Sequence, residues 1–157
     1  MRSLNYRPWL YVALLVLAAG LRIAYGAALP RHMAAQQAEW EYFTIVFPPS
    51  RDTFVIALSD PQRIAEARRI EQGLETRRIH VLGVITTTAA DYNPGWSYHY
   101  EPDTIEFFET AIEVCDASPR YVEAHLAEVG GSFLPGRRWC PWSSRVASKV
   151  FLPLILR

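Results

Sequence analysis

His99 and Glu101 are the pair in this chain whose types and spacing best suit proton transfer. On an extended segment, period-2 counting puts both side chains on one face, where a carboxylate can tune an imidazole for work near neutral pH. They would be the acid and base of a small enzyme, yet no nucleophile stands at a recognisable spacing beside them. The other reading of His99 is a hydrogen-bonded strand histidine next to a turn acid.

A different chemistry is offered by Arg137-Arg138-Trp139-Cys140-Pro141-Trp142, with Arg145 just beyond. Arginine and tryptophan are the types enriched at binding hot spots. The chain has two cysteines, Cys115 and Cys140. In an exported protein an even count implies one disulfide. With Pro141 it would stiffen this loop and lower the entropy cost of binding. Arg137, Arg138, Trp139, Trp142 and Arg145 are therefore the candidate binding residues, and a braced loop carrying arginine also fits a serine-protease inhibitor. At least one of the two indoles is expected to bury against the sheet and fill the core. A catalytic thiol with His125 as base is the lesser alternative for the cysteines. Glu106, Glu109 and Glu113 could form an acidic ridge for a cation, but they match no calcium loop, and a solvated face is the simpler account.

No phosphate loop, nucleophile elbow, zinc spacing or dinucleotide fingerprint occurs, so neither a cofactor nor a metal is expected. His80 and His99 lie on strands that would pair, but counting from the turn at Tyr92 sets His99 opposite about residue 85, too far from His80 to share a metal.

These groups must be positioned by elements that the patterning marks out. Trp40–Phe47 and Asp52–Leu58 read as strands joined across Pro48-Pro49. Asp60-Pro61 caps a helix with Ile64, Ala67 and Ile70 on one face, ended by Gly73. Ile79–Thr88 is a long strand in which Gly83 marks a bulge or a close approach. Trp96–Tyr100 returns from the turn at 90–95. Ile105–Cys115 is a strand with a break near Glu109. Ser118-Pro119 starts a second helix, with Val122, Leu126 and Val129 apolar, stopped by Gly130-Gly131. Residues 132–145 read as irregular, and Val150–Leu156 as an apolar edge tail whose Pro153 excludes a central strand. Strands on short turns plus two helices predict an α+β domain: a mostly antiparallel twisted sheet of five to six strands with a disulfide-braced C-terminal loop.

The N-terminus carries an address. Arg2 and Arg7 precede the uncharged run Trp9–Gly20, followed by small residues, as in a secretory signal peptide. Residues 1–26 are the expected signal, cleaved after Gly26. The run is short for a membrane span, and an uncleaved anchor is the alternative. Residues 27–38 would be a flexible leader, 39–149 one domain and 150–157 the tail. The whole chain has 16 basic and 16 acidic residues. Loss of Arg2, Arg7 and Arg22 would leave the remainder mildly acidic. Half of the 157 residues are apolar, which excludes a disordered chain. The absence of a basic excess argues against nucleic acid as a partner. Lys149 is the single lysine among 15 arginines, a usage typical of a GC-rich bacterial genome.

The segments DTFVIALSDPQRIAEAR, YNPGWSYH, IEVCDASPRYVEAHLAEVGG and FLPGRRWCPWSSR resemble the N-terminal domain of a slime-mould calmodulin-binding protein and similar domains of secreted bacterial proteins. The resemblance spans about Tyr42–Val146. It implies a stand-alone, exported, non-catalytic domain and carries over no catalytic residue. Calmodulin binding does not follow from it, because calmodulin targets are basic amphipathic helices with bulky anchors. Here the first helix is mixed in charge and the second carries Glu123 and Glu128. The expected function is a secreted module that meets an extracellular protein or ligand through the Arg137–Arg145 loop. The membrane would be a partner only if the signal segment stayed attached.

Overall fold

The computed structural model describes residues 40–111 and 114–151, all within the unit Ala38–Arg157. The expected signal segment and leader lie outside the described residues, as does the tail from residue 152.

Strand β1 (Glu41–Val46) buries Phe43 and Ile45 and leaves Tyr42, Thr44 and Val46 half-buried. It pairs antiparallel with β2 (Thr53–Leu58), placing Phe43 opposite Ile56 and Ile45 opposite Phe54. Helix α1 (Pro61–Glu71) follows its sequence signals. The Asp60 carboxylate accepts from the Gln62 and Arg63 amides, Pro61 opens the first turn, and Ile64, Ala67 and Ile70 are buried. Gly73, at φ +70°, takes the left-handed conformation that follows the helix end.

Strand β3 (His80–Thr86) is met antiparallel by three short strands in succession. β5 (Glu106–Phe108) pairs with residues 80–82, β8 (Arg138–Trp139) with Gly83 and Val84, and β4 (His99–Tyr100) with Ile85 and Thr86. Gly83 is indeed a point of close approach. A Cβ there would sit 3.0 Å from the Tyr100 ring and 3.2 Å from the Thr104 hydroxyl. Strand β9 (Arg145–Val150) joins the first sheet, giving the order β2-β1-β9.

The α+β class, the mostly antiparallel pairing and the two helices are as expected, but the strands are more numerous and shorter. The return strand expected over Trp96–Tyr100 is only two residues long, because its first half bonds elsewhere. The Trp96 indole donates to the Thr53 carbonyl at 2.8 Å, and the Ser97 amide donates to Glu123 at 3.0 Å. The strand expected over Ile105–Cys115 stops at Phe108, and Cys115 turns towards Cys140. Helix α2 (Pro119–Ala124) ends early and passes through a 3-10 turn at Leu126–Glu128 into β6 (Val129–Gly130). There β6 pairs parallel with β7 (Phe133–Pro135). The supposedly irregular C-terminal stretch thus supplies β7, β8 and the start of β9.

Trp139 is fully buried at the centre of the core. It stacks on Tyr100 at 5.0 Å and Phe47 at 6.0 Å and meets Phe54 and Tyr98 edge-on at 5.4 Å. Its indole donates to the Ala117 carbonyl at 2.9 Å, so no polar atom is stranded. Burial raises the Tyr98 and Tyr100 phenols far above their ordinary range, which keeps both as neutral O–H donors. Tyr98 donates to the Pro119 carbonyl and Tyr100 to that of Trp139.

Buried polar groups tie the layers together. Asn93 accepts from the Val55 amide at 2.8 Å and donates to the Tyr98 carbonyl, which caps the outer edge of β2. Ser144 accepts from the Val81 amide and donates to the Pro141 carbonyl. At the far side, Glu41 receives Arg68 from α1 and Lys149 from β9, and Glu71 accepts from the Lys149 amide. Burial alone would raise the Glu41 carboxyl, but its hydrogen bonds and charge contacts with Arg68 and Lys149 prevail and hold it below the usual carboxylate range.

Candidate functional site

The segment Phe133–Arg145 is laid out by strand alternation and two tight turns. Gly136 and Arg137 both take positive φ, +63° and +61°, and the Arg137 amide donates back to Leu134. The Arg137 carbonyl then accepts from the Ile85 amide, docking the turn on β3. Successive side chains of β8 point to opposite faces, so Arg138 lies outside and Trp139 inside. Cys140 is bonded to Cys115 with Cα atoms 5.1 Å apart, and its amide donates to the Cys115 carbonyl. Past Pro141 the chain surfaces at Trp142, 44 % exposed. The Trp142 amide is held by the Asp116 carboxylate at 3.1 Å.

The five expected binding residues are therefore not one surface. Trp139 must be removed from the set: pairing of β8 with β3 turns its ring into the core, where no partner can reach it. Arg137 is exposed, but its guanidinium is committed to Glu101 at 3.0 Å. Arg145 belongs to β9, opposite Val46, and lines a separate cleft with Glu71 and Glu75. Arg138 and Trp142 remain on the outside of the braced turn, at either end of the Trp139-Cys140-Pro141 step. Sequence patterning misses Val114, 84 % exposed beside Cys115, because it fits the buried face of an extended strand. The turn residues Asp116–Pro119 are the available signal that this strand could not continue.

His99 and Glu101 are directed to different partners. The His99 Nδ1–H donates to the Thr88 carbonyl at 2.7 Å, while Glu101 holds Arg137. Neither residue lines the Arg145 cleft or a second cleft around Trp96. His125 likewise donates from Nδ1, to the Tyr121 carbonyl, and the bonded cysteines leave it no thiol to activate. His99 pairs opposite Thr86 and His80 lies six residues down the same strand, about 20 Å away at the strand rise. Among the described residues no group of three His, Cys, Asp or Glu side chains is placed to hold a metal ion. Among them, too, no helix is long and apolar enough to cross a membrane.

No curated protein and no solved structure matches the chain. A family model, the BP-74 N-terminal domain, matches residues 39–152. That span takes in both cysteines and, among the described residues, every strand and both helices. The chain accordingly belongs to the BP-74 N-terminal domain family.

Proposed function

We propose that this protein is an exported, non-catalytic binding domain that meets an extracellular partner through the rim of its disulfide, at Trp142, Val114 and Arg138. The observation that carries the reading is Trp142: a large indole exposed on a turn whose backbone is fixed twice, by the disulfide two residues before it and by Asp116 on its own amide. Such an anchor loses little freedom on binding. A basic residue on the same braced turn makes protease inhibition one form this could take.

Calmodulin is not the partner proposed. Among the described residues α1 is the one helix longer than two turns, and its apolar stripe is spent on the core. The face it shows to solvent mixes Arg63, Arg68 and Arg69 with Glu66. A calmodulin target needs the reverse, an apolar face free to enter a groove.

The test is capture from the native extracellular milieu by the wild type and by Trp142→Ala. A hot-spot loss of about 2 kcal/mol, or ~30-fold weaker capture, is expected for the variant. Equal capture by both proteins would remove this surface from consideration. A trypsin-family inhibition assay addresses the narrower form: no inhibition at micromolar protein excludes it.

A further inference from the structure

Beside the aromatic cluster around Trp139, the start of β2, the turn at Pro94–Trp96 and helix α2 enclose a cleft of about 430 Å³. That is within the range of small-ligand sites. Its floor is Trp96, half-buried and set at a fixed angle by three contacts. The indole N–H donates to Thr53, and the ring packs on Phe54 and Tyr98, each with centroids 5.9 Å away. The Arg120 guanidinium stands over the same ring, 6.0 Å from its centroid.

Two guanidiniums and two carboxylates line the cleft, so its preference rests on which of their hydrogen-bonding groups are still open. The carboxylates are Asp52 and Glu123: both oxygens of Asp52 are engaged within the fold, and one of Glu123. Asp52 accepts from the Ser50 hydroxyl through Oδ2 and from Arg120 through Oδ1, both close contacts. Glu123 accepts from the Ser97 amide. Unspent donors remain. Arg120 spends one of its five N–H groups on Asp52, and Arg51 has no hydrogen bond or ion pair among the described residues. A guanidinium fork matches a carboxylate in shape, and with Arg120 already paired to Asp52 it is Arg51 that stands open to an acceptor-rich anion. The indole adds a preference that a bare ion cannot satisfy, a flat apolar surface against which a ring can lie.

We infer that this cleft is a binding site for a small sugar acid. The carboxylate would be held by Arg51 and Arg120, and the sugar ring would rest on Trp96. The site is separate from the disulfide rim and does not depend on it. Asp52 acts as a positioning residue, keeping Arg120 over the ring.

The experiment is an NMR titration of the folded full-length protein with D-glucuronate, D-glucose and inorganic phosphate, each to about 10 mM, a range that captures millimolar dissociation constants. The readout is the Trp96 indole N–H signal, identified by its loss in Trp96→Phe. Glucuronate is expected to shift this signal and leave the Trp142 indole unmoved, with at least ~10-fold tighter binding than either control. Arg51→Gln, which removes no hydrogen bond or ion pair among the described residues, is expected to weaken glucuronate ~10-fold without changing the thermal midpoint. Four results would overturn the assignment: no shift with glucuronate, equal binding of glucose, equal binding of phosphate, or an unchanged affinity in Arg51→Gln.

Discussion

Two tryptophans three residues apart have opposite fates, and their energetics should separate as sharply. Trp139 contacts four aromatic rings and is fully buried, whereas Trp142 is 44 % exposed. Trp139→Ala is expected to cost about 3–5 kcal/mol in urea unfolding, since it opens a large cavity that its neighbours cannot fill. Trp142→Ala is expected to stay within about 0.5 kcal/mol of wild type. Comparable losses for the two would contradict the assignment of core and surface. Their sequence context could not distinguish them. Both sit in one Arg- and Pro-rich run, and the deciding fact, that Arg138 and Trp139 form a strand against Gly83 and Val84, is a long-range pairing. His99 and Glu101 teach the same lesson. Period-2 counting makes them a pair, and the bonds to Thr88 and Arg137 pull them apart.

At the scale of elements, the parts carrying local signals were legible. The cap and proline of α1, its apolar stripe and the alternation of β1 and β2 all follow from neighbours a few positions away. The short strands did not show, because two or three residues leave no period to read. Helix α2 was over-extended for a related reason: its apolar spacing continues to Val129, but only Pro119 and Val122 of the helix itself are buried. Elsewhere side chains replace missing strand partners. Asn93, in a run that reads as turn chemistry, is the partner of β2's outer edge. Asn93→Leu should therefore leave the Val55 amide without an acceptor and lose about 1–3 kcal/mol. Hydrogen exchange should locate the damage, with the Val55 amide losing protection before those of β3. Unchanged protection at Val55 would show that the cap does not hold the edge.

Across the whole molecule, the tie at Glu41 joins β1, α1 and β9. Because its carboxyl titrates lower in the folded than in the unfolded chain, the stabilisation is present above the ordinary carboxylate pKa. It is lost as the pH falls through the lowered folded value. Asp52 acts in the same direction, held down first by the Ser50 hydroxyl and also by Arg120. The urea midpoint should thus drop on going from pH 7 to pH 3. Glu41→Gln is expected to be less stable than wild type by about 1.5–3 kcal/mol at pH 7, with the gap narrowing at pH 3. A gap of constant size would mean that the carboxylate's charge contributes nothing. The tie has one more consequence. Its cation from β9, Lys149, is the chain's single lysine. Amine-directed chemistry on the folded domain, such as acylation, biotinylation or coupling to an activated surface, therefore has no dispensable side chain to modify: the one it finds is a structural fastener, and neutralising it takes from Glu41 one of its two cations.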